Sequence, residues 1–180
     1  MNTETVARQE AHVAAEAISY AIGSTAIGKA LVAQSESGVC AILLGDTDEQ
    51  VRVELGATFP AARLSEDRNG LKAVLDQVAL FIEDPVLGLG VQLDVRGTLF
   101  QQQVWKALRD IPAGETVSYA EVAERVGQPD APRAVAGACA ANVLAVAIPC
   151  HRVVCGDGSL SGYRWGVERK RELLRRESRA

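Results

Sequence analysis

Histidine and cysteine are scarce in this 180-residue sequence, which contains two histidines and four cysteines. The cysteines are Cys40, Cys139, Cys150 and Cys155. They are too few and too irregularly spaced for the disulfide framework of a small secreted protein, so we expect four reduced thiols. The histidines, His12 and His151, form no paired spacing with the cysteines, and we therefore predict no zinc or other metal site.

Long apolar runs are also missing. No stretch approaches the roughly 18 apolar residues needed to span a bilayer. Residues 1–10 are polar and acidic and do not resemble the basic start of a signal peptide. We therefore predict a cytoplasmic protein without a membrane partner. A hydrophobic content of 48% is sufficient for a packed core.

The formal net charge of -4 is divided unevenly along the chain. Residues 1–96 carry 7 basic and 14 acidic residues, a net -7, whereas residues 97–180 carry 12 basic and 9 acidic residues, a net +3. A basic second half is compatible with a phosphate-rich partner. The alternative is that the charges between Arg169 and Arg179 form a solvated helix face.

The first half alternates strand and helix patterns. Strands are predicted over residues 29–34, 39–44 and 91–95, the last from the alternation of valine and leucine. One helix is predicted to open at Asp46, with Glu49 three residues on, and a second to follow the apolar spacing from Leu71 to Ile82. Cys40 lies within a strand pattern and is predicted to be a core residue.

The pattern becomes helical after Gly97, where we place a boundary between a domain of residues 1–96 and one of residues 97–180. Thr98 with Gln101 and Ser118 with Glu121 form two capping boxes, each of which marks a helix start. Short helices joined by tight turns are typical of a helix-turn-helix.

A third helix is predicted from Ala131 to about Ala141, capped by Asp130 and ended by Asn142. Apart from Arg133 and Val135, its side chains are nearly all small. Small residues allow close approach, either to a neighbouring helix or to a nucleic-acid groove. Arg133, near the helix start, favours the second interpretation.

The sequence IPCHRV at 148–153 indicates a nucleophile. Cations beside a thiol lower its pKa, so His151 and Arg152 predict a Cys150 thiolate at neutral pH. The alternative is that Cys150 is a small buried hydrophobic residue.

Five motifs, in order, resemble the O6-alkylguanine-DNA alkyltransferase family. They are FQQQVW at 100–105, GETVSY at 114–119, RAVA at 133–136, IPCHRV at 148–153 and SGYRWG at 161–166. The resemblance implies an N-terminal ribonuclease-H-like α/β domain followed by a mainly α, winged-helix-like DNA-binding domain. It also implies repair by direct reversal, without a cofactor, in which the protein is consumed by one turnover.

The resemblance further implies a role for each matching residue. Cys150 would attack the alkyl carbon and retain it as a thioether. His151 would draw off the thiol proton through a bound water, with Glu177 at the far end of this relay. Asn142 would tie the turn beneath the cysteine to the preceding helix.

The remaining implied roles concern the DNA, which would be double-stranded, contain O6-alkylguanine and be bound through its minor groove by a monomer. Arg133, with Ala134 beside it, would enter the stack vacated by a flipped base. Tyr119 would donate to the guanine, and the carbonyls of Cys150 and Val153 would read its exocyclic amine. The Tyr163 hydroxyl and the Arg164 amide would receive the leaving oxygen.

Two other functions remain open. One is a DNA-binding sensor of alkylated bases that transfers nothing, against which Cys150 argues. The other is a thiol hydrolase, although such enzymes usually draw their base from a distant part of the chain, where His12 is the only candidate. We also expect Trp165 to narrow the pocket against bulky adducts, and a protein that repairs without regulating, unless the sequence is a fragment.

Overall fold

The computed structural model describes residues 14–179. His12, the candidate base of the thiol-hydrolase alternative, lies outside this range. So do residues 1–10, on which the prediction of a cytoplasmic protein partly rests. Between residues 14 and 179, no helix is both long and apolar enough to cross a membrane.

A four-stranded sheet forms the first layer. Its strands are β1 (Ala17–Thr25), β2 (Gly28–Ser35), β3 (Gly38–Gly45) and β4 (Arg63–Glu66). The spatial order is β3-β2-β1-β4, with β1 antiparallel to β2, β2 antiparallel to β3, and β4 parallel to β1. The predictions of β2 and β3 are confirmed. The sequence reading missed β1, which is interrupted by polar residues and glycine, and β4, which is short and mostly exposed.

The strand predicted over residues 91–95 is wrong. This segment makes only one isolated bridge, between Leu93 and Val39. Val39 donates to the carbonyl of Gln92 at 2.9 Å and accepts from Asp94 at 2.8 Å. The valine and leucine alternation therefore reflects an extended segment that lies against the start of β3 rather than a strand of the sheet.

Two helices cover the sheet. Helix α1 (Asp48–Thr58) buries Val51 and Leu55 against β2 and β3, and α2 (Lys72–Glu83) packs on β1 and β2. Asp46 does not cap α1. The cap is Thr47, whose hydroxyl accepts from the Gln50 amide at 3.2 Å. The apolar spacing located the helix, but the neighbouring residue supplies the cap.

Between residues 97 and 179 the structure contains four α-helices and a small parallel sheet. The helices are α3 (Leu99–Arg109), α4 (Tyr119–Arg125), α5 (Pro132–Ala141) and α6 (Val167–Glu177), and the paired strands are β5 (Val117–Ser118) and β6 (Val153–Val154). Both predicted capping boxes form, at Thr98 and at Ser118. Asp130 caps nothing: Ala131 holds the N-cap position and Pro132 begins α5, supplying the fixed φ that a first helical turn accepts.

Helix α5 presents two different faces. Val135, Ala138 and Cys139 are buried, and α3 and α4 both pack on this side. The opposite face is exposed and is formed by Arg133, Ala134, Ala136, Gly137 and Ala140. One face therefore matches the helix-packing interpretation, and the other remains available to a partner.

The segment that leads to Cys150 runs along β3. Leu144 bridges to Ile42, the Ile42 amide donates to the Val143 carbonyl at 2.9 Å, and the Ala145 amide donates to the Ile42 carbonyl at 3.0 Å. A single hydrophobic core extends through both halves of the chain. The structure as a whole is mixed α/β, and the domain boundary at residue 97 stays a prediction.

Candidate active site

Cys150 lies at the bottom of a cavity of about 440 Å³, in a single turn of 3-10 helix over Cys150–Arg152. The start of α4, the exposed face of α5 and the segment 161–164 line this cavity. The approach to Cys150 is strained, because the buried Val146 has a φ of 61°. A left-handed β-branched residue costs on the order of 1–3 kcal/mol and persists only where surrounding contacts impose it.

Asn142 ties α5 to the turn that carries the cysteine. Its Nδ2 donates to the Ile148 carbonyl at 2.9 Å and to the Cys150 Sγ at 3.3 Å. Its Oδ1 accepts from the Leu144 amide at 2.9 Å. All polar atoms of this buried side chain are thereby used to fix the thiol relative to α5.

The structure contradicts the prediction of a resting thiolate. Burial raises the pKa of the Cys150 thiol, and the hydrogen bond from Asn142 and the charge of Lys170 offset this only in part. Arg152 follows the cysteine in sequence but its guanidinium contacts Glu177. Cys150 is therefore a neutral thiol that requires a base in order to react.

His151 is the candidate base, and it lies in a buried triad with Glu177 and Arg152. The Glu177 carboxylate lies 2.7 Å from His151 Nε2 and 2.8 Å from Arg152 Nη2. Burial by itself would raise the pKa of Glu177, but the hydrogen bonds from His151 and Arg152 lower it to about 2. Arg152 Nη1 donates to the Ile111 carbonyl at 2.6 Å, which fixes the guanidinium.

The state of His151 follows from this arrangement. Burial lowers the pKa of the imidazole despite the opposing effect of Glu177, so the ring is neutral near pH 7. An ionised carboxylate only accepts, and the proton must therefore be on Nε2. Nδ1 is left as a buried acceptor with no hydrogen-bond partner in the described part of the chain.

The sequence reading missed Lys170 and Ser161. Lys170 is 1% exposed, and its Nζ donates to the Val153 carbonyl at 2.7 Å and to Ser161 Oγ at 3.4 Å. Ser161 is also hydrogen-bonded to the Tyr119 hydroxyl. Lys170 was hidden in a run of charges interpreted as a solvated face, and only the apolar spacing of α6 could have placed it inward.

Tyr163 and Arg164 form another wall of the cavity, and Trp165 packs behind them. The Tyr163 hydroxyl is buried without a partner in residues 14–179, and burial raises its pKa well above the usual range, so it remains a donor. Trp165 does not line the cavity, which corrects its expected role in narrowing the pocket. It lies behind Tyr163, with ring centroids 5.3 Å apart, and behind Arg164.

The other expected DNA-contacting residues, Arg133 and Ala134, lie at the exposed start of α5. Arg133 takes part in no ion pair with the described residues. Cys139 is the second thiol of the cavity, and burial raises its pKa to about 12. No group of three or more metal-binding side chains occurs within residues 14–179.

Comparison with known proteins gives consistent results. A protein-family model described as the DNA-binding domain of 6-O-methylguanine DNA methyltransferase matches residues 99–179. A methylated-DNA–protein-cysteine methyltransferase of Kluyveromyces lactis is 37% identical, with 83% of this chain and 85% of the relative covered. A crystal structure of Mycobacterium tuberculosis OGT in complex with DNA superposes with a TM-score of 0.76 at 35% identity, covering 89% of this chain and 93% of that one.

The chain belongs to the methylated-DNA–protein-cysteine methyltransferase family. Within this family it is also 54% identical to the bifunctional transcriptional activator/DNA repair enzyme Ada of Escherichia coli, over 90% of this chain and 46% of Ada. The chain thus spans about half the length of Ada and of the regulatory protein ada of Salmonella typhimurium. The family resemblance stated from the five motifs is confirmed.

Proposed function

We propose that this protein repairs DNA by moving a methyl or larger alkyl group from guanine O6 to Cys150, once and irreversibly. The observation that carries this proposal is a buried thiol, Cys150, that lines the cavity and is followed in sequence by a buried imidazole whose Nδ1 has no partner within residues 14–179. Behind the imidazole, a carboxylate fixes the tautomer that leaves Nδ1 able to accept.

In the proposed reaction, His151 takes the thiol proton through a bound water and Sγ attacks the alkyl carbon. The S–C bond forms as the C–O6 bond breaks, and the electron pair of that bond leaves with the guanine. The proton held on His151 balances the guanine anion until the base is reprotonated. Glu177 stabilises the imidazolium, and Asn142 keeps Sγ in place. The thioether has no route back, so each molecule reacts once.

Preorganised donors would stabilise the charge that grows on O6. The Tyr163 hydroxyl is buried, protonated and without a partner in the described part of the chain, which suits it to this task together with the Arg164 amide. The Cys150 and Val153 carbonyls would accept from the exocyclic amine of guanine, although Val153 already accepts from Lys170. Tyr119 would exchange its bond to Ser161 for one to the DNA.

The DNA would approach the exposed face of α5. Its alanines and glycine leave room for a minor groove, and Arg133 would fill the stack from which the damaged base is flipped. We assign residues 1–96 to a ribonuclease-H-like scaffold and residues 97–180 to a winged-helix-like DNA-binding domain, acting as a monomer. Nothing in the proposed reaction requires a metal or a cofactor.

The test is the intact mass of the protein after mixing with an equimolar duplex that contains one O6-methylguanine. We expect a gain of one methyl on the Cys150 peptide that stops at one equivalent. Cys150→Ser should gain nothing, whereas Cys139→Ser, which removes the other cavity thiol, should react. Lesion-selective binding without a mass change would instead support the sensor, and multiple turnovers of a thioester or amide would support the hydrolase.

A further inference from the structure

The cavity wall formed by residues 161–164 has little backbone support. The segment 159–166, hereafter the pocket loop, takes part in three backbone bonds outside helices and strands. The Cys155 amide donates to the Ser159 carbonyl at 3.0 Å, the Gly166 amide to the Tyr163 carbonyl at 2.9 Å, and the Lys170 amide to the Gly166 carbonyl at 3.2 Å. A loop with so few main-chain bonds depends on side chains for its position. Tyr119 and Lys170 contact Ser161, and two arginines, Arg164 and Arg169, connect the loop to the N-terminal half.

Arg164 connects the pocket loop to two other elements. Its Nε donates to Glu54 Oε1 on α1 at 2.9 Å, and its Nη1 donates to the Ala140 carbonyl on α5 at 3.1 Å. The guanidinium carbon lies 5.9 Å from the centre of the Trp165 ring. Glu54 and Arg164 are 110 residues apart in sequence, and their side chains are only 22% and 30% exposed.

Arg169 makes a second connection to the same region. Its Nη1 donates to the Trp165 carbonyl at 3.0 Å, its Nε to the Ile27 carbonyl at 2.9 Å, and its Nη2 to Asp46, which precedes α1. Gly28 makes this approach possible: its φ is +115°, and a Cβ there would lie 2.9 Å from Arg169 Nη2. The pocket loop is therefore held at both Arg164 and Trp165 by the N-terminal half.

We propose that Glu54 is a positioning residue for alkyl transfer, which holds Arg164 and thereby fixes the wall that receives the flipped base. This inference rests on the proposed function. Glu54 touches neither the thiol nor the triad, so it acts only through Arg164. A pocket that is ordered before binding loses less conformational entropy when the base enters.

The physical signature is a change in binding rather than in chemistry. Without Glu54, the loop must be ordered by the substrate, which weakens binding of the damaged DNA. Once the base is bound, Cys150, His151 and Glu177 are unchanged, and the limiting rate should be nearly preserved. The coupling free energy commonly measured for an ion pair such as Glu54–Arg164 corresponds to an increase of about fivefold in the half-saturating concentration of the damaged DNA.

The test uses single-turnover kinetics of the full chain on duplex DNA containing O6-methylguanine. Glu54→Ala should raise the half-saturating concentration about fivefold and change the limiting rate by less than about twofold. Glu54→Gln, which retains an acceptor oxygen, should be intermediate. Glu49→Ala, an exposed glutamate of the same helix, is the matched control and should resemble the wild type.

A double-mutant cycle then tests the route. In an Arg164→Ala background, Glu54→Ala should have no further effect on the half-saturating concentration. The proposal is overturned if Glu54→Ala behaves as Glu49→Ala does, or if its effect persists without Arg164. A wild-type protein that transfers no methyl group would defeat the proposed function instead. In that case hydrogen exchange of residues 159–166, faster in Glu54→Ala than in Glu49→Ala, still decides whether the pair holds the loop.

Discussion

Glu177 is a buried carboxylate held in its charged form by two partners, His151 and Arg152. Its pKa of about 2 in the folded protein lies below the 4.5 of an unperturbed glutamate. The unfolded chain therefore binds a proton first, and the stability present above pH 4.5 is lost as the pH falls towards 2. The lowered pKa of His151 also reduces stability as the pH falls below about 6.5, because the imidazole is protonated in the unfolded chain before it is protonated in the folded protein.

The free energy of unfolding should therefore decrease from pH 7 towards pH 2: the His151 contribution is lost below about pH 6.5, and the Glu177 contribution, on the order of 3 kcal/mol at full titration, is lost between pH 4.5 and about 2. Urea unfolding at several pH values measures it. Glu177→Gln should lower stability at pH 7 and flatten the acid limb, because Arg152 loses its charged partner. An unchanged acid limb in this variant would contradict the assignment.

Lys170 is the charge in the site that the sequence reading did not find. Its buried ammonium lowers the pKa of the Cys150 thiol, although burial keeps that pKa above the usual value overall. Lys170→Met should therefore raise it further and slow alkylation of Cys150 at neutral pH. The pH dependence of iodoacetamide labelling, followed on the Cys150 peptide, measures this shift. Lys106→Met, an exposed lysine on α3, should leave the labelling profile unchanged.

At the scale of secondary-structure elements, one face of α5 packs in the core. The other is exposed and carries mostly small side chains, and we refer to it as the smooth face. Gly137 lies on the smooth face, and a Cβ there would meet nothing within 4 Å. Gly137→Ala should therefore stabilise the protein by about 0.5–1 kcal/mol, the propensity difference within a helix. Gly137→Leu has similar propensity but projects into the proposed DNA path.

The two Gly137 variants thus separate stability from binding. Thermal or urea unfolding should show both to be at least as stable as the wild type. Fluorescence anisotropy with lesion-containing duplex should show weaker binding for Gly137→Leu only. Equal binding by the two variants would mean that the DNA does not approach this face of α5.

Elements were predictable from sequence where local signals were strong. Both capping boxes and the apolar spacing of α2 need no distant partner to be recognised. The segment 91–95 was wrongly predicted to be a strand, because an extended chain that lies beside a strand can show the same alternation of apolar residues. Asp46 and Asp130 each lie one residue before the true cap, since Thr47 and Ala131 hold those positions.

The residues of the candidate site, like the helices and strands, were predictable only where the signal was local. The motifs located Cys150, His151 and Tyr163, because those residues lie within contiguous segments. Lys170 and Glu54 enter through contacts between elements far apart in sequence, which no local pattern reports. The protonation state of Cys150 also required the structure, because the neighbour in sequence, Arg152, points away from the thiol.

At the scale of the whole molecule, the charge is divided between the two halves. The net charge is -4, yet residues 97–180 carry +3, and the proposed DNA-binding face belongs to this half. Binding to undamaged duplex should therefore weaken with salt, by at least about tenfold between roughly 50 and 200 mM. Anisotropy titrations over this range measure it. A flat dependence would show that phosphate contacts contribute little and would count against the basic half as the DNA-binding face.

The smooth face of α5, where we propose that DNA binds, also limits which features of the DNA can be recognised. Reading a base edge requires a side chain that donates or accepts a hydrogen bond, and Ala134, Ala136, Gly137 and Ala140 have none. A protein that binds DNA through such a surface recognises the shape of the groove but not the base sequence beside the lesion. Its repair rate should therefore depend little on the flanking sequence, so that alkylated guanines are repaired at about the same rate wherever they occur in a genome.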